Sequence, residues 1–241
     1  MMIAACILSL SATLGGQDDK AVDEALDAFK AAMKSTSEAD RVTAVNELAK
    51  VPHAKTLVRL APLLSSEPPT VRIAAAKGIS GFSPLKAKAA QVLIAAMGAN
   101  QKESTVLAAL YESLGKLDEP SSLPTIHRGF EEKDVTVAKA AIQAAGQMGS
   151  AASIEPLIAF LTKLEKIQKS AGGGVDVTAP VPGGGGGSVT VRSNEDAAKR
   201  AAELIPIVNK ALNEITRESN GSAETWNAWW AKNKGNFKPV K

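Results

Sequence analysis

Residues able to perform acid–base chemistry are few in this sequence, and one group of them lies together on a predicted helix. His127-Arg128 precedes Glu131 and Glu132 by one turn, a spacing at which an imidazole and a carboxylate can act as an acid–base pair. The alternative is a solvated helix face. The sequence contains no G-x-S-x-G, H-E-x-x-H, C-x-x-C or G-x-x-x-x-G-K-[ST] motif. We therefore favour the solvated face and predict that the protein is not an enzyme.

Few residues in the sequence could bind a metal ion, act as a thiol nucleophile or hold a phosphate group. The chain has two histidines, His53 and His127, and one cysteine, Cys6. The glycine run 183–187 lacks the Lys-Ser/Thr and the helix that a phosphate-binding loop requires. The net charge of +3 is ordinary and by itself indicates neither nucleic acid nor a membrane as partner. We expect no metal, no cofactor and no disulfide.

Composition and periodicity point to helices. The chain is 45% hydrophobic and only 4% aromatic, whereas sheets favour aromatic and β-branched residues. Four segments superimpose without gaps, and they start at Asp40, Val71, Val106 and Val137. Their apolar positions recur three to five residues apart, as on one face of a helix. Their tenth position is always small: Ala49, Ser80, Gly115 and Gly146. Small residues there would let a neighbouring helix approach closely.

Each repeated segment is followed by a short turn and a second apolar run. The second runs cover roughly 54–66, 85–98, 122–132 and 153–169. Three of them contain proline, and Pro124 and Pro156 can lie in the first helical turn, where the missing N–H costs little. The sequence therefore predicts helical hairpins of about 33 residues, a length typical of helical-repeat proteins.

The repeated pattern V-R-x-A-A-x-x-A-L-G-x-L, followed by a second helix, resembles the HEAT-repeat family in its short bacterial form. Val71-Arg72-Ile73-Ala74-Ala75 matches the beginning of the motif, and Leu114-Gly115-Lys116-Leu117 matches its end. The resemblance covers about 40–169. The motif arginine is present as Arg41 and Arg72 but is replaced by leucine and alanine in the next two copies, which puts an arginine ladder between repeats in doubt. The resemblance implies an all-α fold, an α-solenoid of about five hairpins wound as a superhelix.

The end of the chain predicts a fifth hairpin and a cap. The segment 204–215 fits the repeat columns. Trp226, Trp229 and Trp230 share one face of a helix for which Ser222 is a suitable N-cap. They can form a stacking platform for sugars or bases, or they can cover the hydrophobic flank of the last repeat. We favour the structural cap.

We predict four segments along the chain: a signal peptide (1–17), an N-terminal helix with four hairpins (18–171), a glycine- and proline-rich insert (172–193), and the last hairpin with its tryptophan cap (194–241). The first segment is uncharged and apolar, too short to span a bilayer but suited to export. An apolar helix docked on the domain is the alternative, and lipidation at Cys6 is disfavoured. For the insert, a mobile loop and a paired β-hairpin flap both remain open.

The HEAT resemblance implies that the second helices line the concave face. Those helices carry a mild basic excess, strongest in the first two hairpins, where no acid on the same helices opposes it. The bases are Lys55, Arg59, Lys86, Lys88, Arg128, Lys163, Lys166 and Lys169, against Glu131, Glu132, Glu155 and Glu165. One interpretation is that these charges only keep alanine-rich helices soluble. Alternatively, the first five bind an acidic protein segment or another polyanion.

We therefore expect a non-catalytic scaffold that is exported, binds a protein partner through its concave face, has no transmembrane segment and is a monomer. The family resemblance leaves two alternatives. One is a nucleic-acid-binding protein similar to the DNA glycosylases built from HEAT-like repeats. The other is a protein similar to the HEAT-like phycobilin lyases. The small net charge and the apolar leader disfavour the first, and the missing catalytic constellation disfavours the second.

Overall fold

The computed structural model describes residues 7–172 and 192–238, and this part of the chain is helical, with no β-strand. Two compact units are formed, Met1–Ser122 and Leu123–Lys241. The helices of the first unit are α1 (Ile7–Ala32), α2 (Glu38–Ala49), α3 (Ala54–Leu60), α4 (Leu63–Ser66), α5 (Pro69–Ile79), α6 (Lys86–Met97) and α7 (Ser104–Leu117). Those of the second are α8 (Leu123–Gly129), α9 (Val135–Met148), α10 (Ile154–Gly172), α11 (Arg192–Thr216) and α12 (Ala223–Asn233).

The helices confirm the predicted repeat. The four repeated segments lie in α2, α5, α7 and α9, and each is followed by its second helix. In the first unit α2 packs against α5 and α5 against α7, so the first helices form one layer. In the second unit α11 packs against α9 and α10, and α12 packs against α10. Helix α11 therefore takes the place of a fifth first helix, as the repeat columns of 204–215 predict. The fold is the all-α HEAT-like repeat with a tryptophan-rich helix near the C-terminus.

Local signals set the ends of these helices. The Ser37 side chain accepts the N–H of Asp40 at the start of α2, and the Asp134 side chain accepts two N–H groups at the start of α9, which satisfies donors that have no partner inside a helix. Gly149 ends α9 with φ 63°, a left-handed conformation that glycine adopts without strain.

Proline positions explain two features of the second helices. Pro124 and Pro156 are the second and third residues of α8 and α10, as predicted. Pro62, in contrast, divides the second helix of the first hairpin into α3 and α4, because proline lacks the N–H that a continuous helix needs. Pro206 lies inside α11, an interior position that the repeat pattern did not reveal.

Small residues allow the close helix contacts that the repeat columns predict. A Cβ atom on Gly146 of α9 would lie 3.0 Å from the Cα of Ala211 in α11 and 2.5 Å from a carboxylate oxygen of Glu214. In the first unit, a Cβ on Gly78 of α5 would lie 2.7 Å from the Cβ of Ala49 in α2. At these positions any larger residue forces neighbouring backbones apart.

The motif arginines make polar contacts at the hairpin ends. Arg41 pairs with Glu67 at 3.2 Å. Arg72 donates to the side-chain oxygen of Asn100 at 3.0 Å, and the amide of Asn100 donates to the Leu64 carbonyl of the preceding hairpin at 2.8 Å. The link between the first two hairpins is therefore an Arg–Asn–carbonyl chain and not a ladder of arginines.

Helix α1 closes the beginning of the first unit. Val22 and Phe29 are buried and Leu26 and Met33 are half-buried, the amphipathic face that the sequence predicts, and this helix packs on α2 and α3. None of the helices in the described part of the chain combines the length and the hydrophobicity of a membrane span. The leader side chains and most of the insert 172–193, including its two alternating pieces, lie outside the described residues.

Candidate partner-binding surface

The predicted basic residues of the first unit lie on α3 and α6, which belong to the layer of second helices that α1 begins. Helix α1 contacts α3, and the broken helix α3–α4 contacts α6. Side chains of α3 and α6 form what we term the α3–α6 surface: Lys55, Val58, Arg59, Lys86 and Lys88. All are exposed except Lys86, which is half-buried.

Helix α3 has a well-defined start that positions Lys55 and Val58. The His53 imidazole accepts the N–H of Lys55 at 3.2 Å, and the Thr56 hydroxyl accepts the N–H of His53 at 3.1 Å. These reciprocal bonds form a capping box, which anchors the first turn. Helix α3 is short and ends just before Pro62.

Lys55 is already paired within the chain. Its ammonium lies 2.9 Å from an Asp23 carboxylate oxygen and 3.5 Å from one of Asp19. The hydrogen bond to Asp23 and the charges of both carboxylates raise the pKa of Lys55. Asp23 precedes Lys55 by 32 residues, close to one repeat length, and Glu131 precedes its partner Lys163 by the same distance. The Lys55–Asp23 ion pair therefore also connects positions one repeat apart, as the Lys163–Glu131 pair does.

Arg59 is held by an aromatic ring of α1. Its guanidinium carbon lies 5.6 Å from the centroid of the Phe29 ring, within the range of a cation–π interaction. Two of the four basic residues predicted for the first two hairpins are thus engaged by α1. The second helices of the first two hairpins carry no acid of their own, but the acids of α1 oppose Lys55 in the folded chain.

Val58 is the large apolar side chain that stands out on this surface. Its exposed fraction is 72%, and among the residues that the structure describes it is the one large apolar side chain that is exposed. Lys55 lies three positions before it, hence beside it on the helix face, and Arg59 follows it directly. Val58 was not among the predicted site residues. Leu57 and Leu60 of α3 are both buried, and Val58 directly follows Leu57, so it points to a different side of the helix.

Lys86 and Lys88 begin α6, where cations are not favoured. The positive end of the helix dipole lies at the N-terminus, so two lysines in the first turn cost some stability. Lys86 follows Lys55 by 31 residues, the spacing between the first two repeats, and occupies the equivalent position in the second hairpin. No acid of the described residues forms an ion pair with either lysine. The nearest preceding acid in the sequence, Glu67, is engaged by Arg41.

In the second unit His127 and Glu131 do not form the acid–base pair that the sequence disfavours. The His127 Nε2 atom shares a 2.9 Å hydrogen bond with the Ser153 hydroxyl, and burial lowers the pKa of His127. Glu131 pairs instead with Lys163 at 2.6 Å. Ser153 is fully buried, so a substrate cannot reach it. Arg128 is exposed and donates to the Thr125 hydroxyl at 3.1 Å; it belongs to the second unit and is not part of the α3–α6 surface.

The three tryptophans have different environments. Trp226 is completely buried, and its indole N–H donates to the Asn209 side chain of α11 at 2.8 Å. Trp229 and Trp230 are half-buried, and their ring centroids are 6.1 Å apart with planes inclined by 23°. The Trp230 N–H donates to Glu155 of α10 at 3.0 Å. This arrangement, with one indole in the core, supports the interpretation of the cluster as a structural cap.

Two further contacts fix α12 on α10. The Glu165 carboxylate accepts the Ala223 N–H at 2.9 Å at the start of α12, and Lys234 pairs with Glu155 at its end. The hydrogen bonds from Lys234 and Trp230 lower the pKa of Glu155. Since both ends of α12 are attached to the same helix, the cluster is held in one orientation.

A separate open cleft of about 600 Å³ lies between α9 and α11 in the second unit. Its floor is formed by Gly146 and Ala211, and its polar rim includes Gln143, Lys210, Glu214 and Arg217. The rim mixes one acid with two bases, and Glu214 lies 3.9 Å from Lys210. The charges around this cleft select no single ligand class.

Comparison with known proteins agrees with the helical repeat. A family model for HEAT repeats matches residues 26–110 and 98–171, which together make up more than half of the chain. A search of curated proteins finds no match. HEAT repeats commonly serve as scaffolds for protein interactions. With the hairpins, the stacked first helices and the family match in agreement, the chain belongs to the HEAT-repeat family.

Proposed function

We propose that this protein is a non-catalytic helical-repeat scaffold that binds a protein partner through the α3–α6 surface, on the side that HEAT proteins use as their concave face. The observation that carries the proposal is the exposed Val58, which lies beside Lys55 and Arg59 and one hairpin away from the two unpaired lysines of α6. A single exposed apolar side chain is ordinary on a protein surface, so Val58 supports the proposal through its position among the basic side chains of the α3–α6 surface.

The charges of this surface favour a partner with an acidic segment. Lys86 and Lys88 lie in the first turn of α6, where a positive charge lowers helix stability. Binding of an acidic partner would give these two lysines a role that compensates for this cost. Nucleic acid would need a continuous basic surface, whereas the carboxylates of Asp19 and Asp23 interrupt the basic residues beside α3. We therefore propose a protein partner and not a nucleic acid.

Charge reversal on α6 tests the proposal. We expect Lys86→Glu/Lys88→Glu to weaken partner capture, and we expect capture by the unmodified protein to weaken with salt, because exposed charges are screened over about 8–10 Å at ordinary ionic strength. Lys55 and Arg59 are left unchanged, since a carboxylate at position 55 would face Asp19 and Asp23 and destabilise α1.

The matched control is Lys77→Glu/Lys116→Glu, which makes the same change in charge at exposed lysines of the first helices α5 and α7. If both double variants capture the partner as well as the unmodified protein at low salt, the α3–α6 surface is not the site. If both lose capture equally, net charge is responsible and the proposed site is again wrong.

We also propose that the protein acts outside the cytoplasm, on the basis of the uncharged apolar leader 1–17. Mass spectrometry of the native protein should find an N-terminus close to the end of this leader. An intact Met1 on protein recovered from the cytoplasm would contradict export.

A further inference from the structure

The sign of the charge changes along the layer that runs from α1, across the α3–α6 surface, to the start of α6. Asp19 and Asp23 stand at the α1 end, with side chains that are 63% and 61% exposed, so a bound partner can reach them. Two carboxylates face the ammonium of Lys55, and Arg59 lies over Phe29 of the same helix. Asp27 follows one turn later on the same face of α1 and is also exposed, so three acids stand against two bases and this end carries a net charge of −1.

The opposite end of the layer is positive. Lys86 and Lys88 stand in the first turn of α6 and form no ion pair within the described residues. The short turn Pro120–Ser122, which follows Asp118 and Glu119, also packs on α6. Val58 lies between the two ends, because α3 and α4 separate α1 from α6 in the packing order. The layer therefore runs from acidic through apolar to basic.

We infer that the α3–α6 surface binds a partner segment with a complementary order of charge: basic where it meets α1, apolar over Val58, and acidic where it meets the start of α6. This inference rests on the proposed function and makes it more specific, since a uniformly acidic segment would place carboxylates against Asp19 and Asp23. Repulsion of that kind is a common source of specificity between similar ligands.

The dimensions suit a short segment. Neighbouring packed helices lie about 8–10 Å apart, so α1 and α6 are separated by roughly two such steps. An extended chain advances about 3.3 Å per residue, so a segment of about six residues covers the layer. A single short linear motif can thus contact both charged ends and Val58 together.

Binding of three synthetic peptides to the full chain tests this inference. All three share an apolar centre of leucine and valine. The first has two lysines at one end and two aspartates at the other, the second has aspartates at both ends, and the third has lysines at both ends. Each exposed charge pair contributes modestly, so we expect the mixed peptide to bind roughly tenfold more tightly than the all-acidic one at low salt.

Reversing the acids of α1 should reverse this preference. In Asp19→Lys/Asp23→Lys the all-acidic peptide should bind more tightly than the mixed one. The milder Asp19→Asn/Asp23→Asn should make the two equal, and it provides the test if the lysine variant fails to fold. The matched control Glu103→Lys/Glu112→Lys changes exposed acids next to and within α7 and should leave the preference as in the unmodified protein.

The outcomes separate this inference from the proposed function. If the all-acidic peptide binds as well as the mixed one, or if the asparagine variant does not change the ratio, the charge order is wrong while an acidic partner stands. If the all-basic peptide binds most tightly, both are wrong. Binding of none of the three at millimolar concentration would likewise overturn both.

Discussion

Trp226 allows a quantitative test of how the end of the second unit is stabilised. Its indole is completely buried and bonded to Asn209, and its ring meets that of Trp229 edge to face with centroids 5.9 Å apart. Removing about 200 Å² of apolar surface from the core costs about 5 kcal/mol at 25 cal/mol per Å². Alanine retains part of this burial, so we expect Trp226→Ala to lose about 3–5 kcal/mol, the usual range for buried aromatic deletions.

Trp229→Ala is the matched control, because the same side chain is removed from a half-buried position on the same helix. We expect it to lose about 1–2 kcal/mol, since only part of the area is recovered. Urea denaturation gives the two losses. Iodide should quench the emission of Trp229 and Trp230 more readily than that of Trp226, and Trp226→Phe should remove the protected component.

Hydrogen exchange gives the location of the loss. Repeat arrays are stabilised by contacts between neighbours, so Trp226→Ala should accelerate exchange in α10, α11 and α12 before it affects the first unit. Equal acceleration in α2, α5 and α7 would refute the cap, and so would a loss below about 1 kcal/mol, because a tryptophan in a binding platform contributes little to folding.

Three further predictions concern packing, pH and the insert. Gly146→Ala should lower the free energy of unfolding by about 1–3 kcal/mol because its Cβ would press on Ala211; urea denaturation measures this, and an unchanged midpoint would contradict the close contact. Burial holds the pKa of His127 below the usual 6.5, so the unfolded state takes up this proton at a higher pH than the folded state does. The free energy of unfolding should therefore fall as the pH drops below about 6.5. If His127→Gln does not flatten this part of the stability profile, the histidine is not responsible. Replacing 172–193 by a short Gly-Ser linker should leave the melting temperature nearly unchanged, because loop closure costs little; a loss of several degrees would indicate that the insert is packed.

Much of the fold was predictable because it depends on local periodicity. The apolar stripes at 40–51, 71–82, 106–117 and 137–148 require helices with one buried face. The small residue in the tenth column indicates where helices meet, and Gly146 against Ala211 bears this out. A repeat needs only the same local pattern several times in register, so even the fifth first helix, after a long insert, could be recognised from 204–215.

The candidate site was less predictable because it depends on which elements become neighbours. Lys55 and Arg59 were correctly placed on a second helix, but nothing in that helix shows that Asp23 and Phe29 of α1 contact them. The spacing of 32 residues between Asp23 and Lys55 was the available signal, since residues one repeat apart often meet in stacked hairpins. The same reasoning would have found Glu131 beside Lys163.

The sequence by itself determined the helical repeat, its register, the small residues between helices and the amphipathic face of α1, because each follows from side chains a few residues apart on one helix. Only the tertiary structure decided the partners: Ser153 and not a glutamate for His127, Asn209 for Trp226, and the acids of α1 for Lys55. These contacts depend on how one helix packs beside another, and small differences in that packing change which polar atoms lie within 3 Å. The order of charge on the α3–α6 surface is therefore a property of the packed hairpins and not of any one helix.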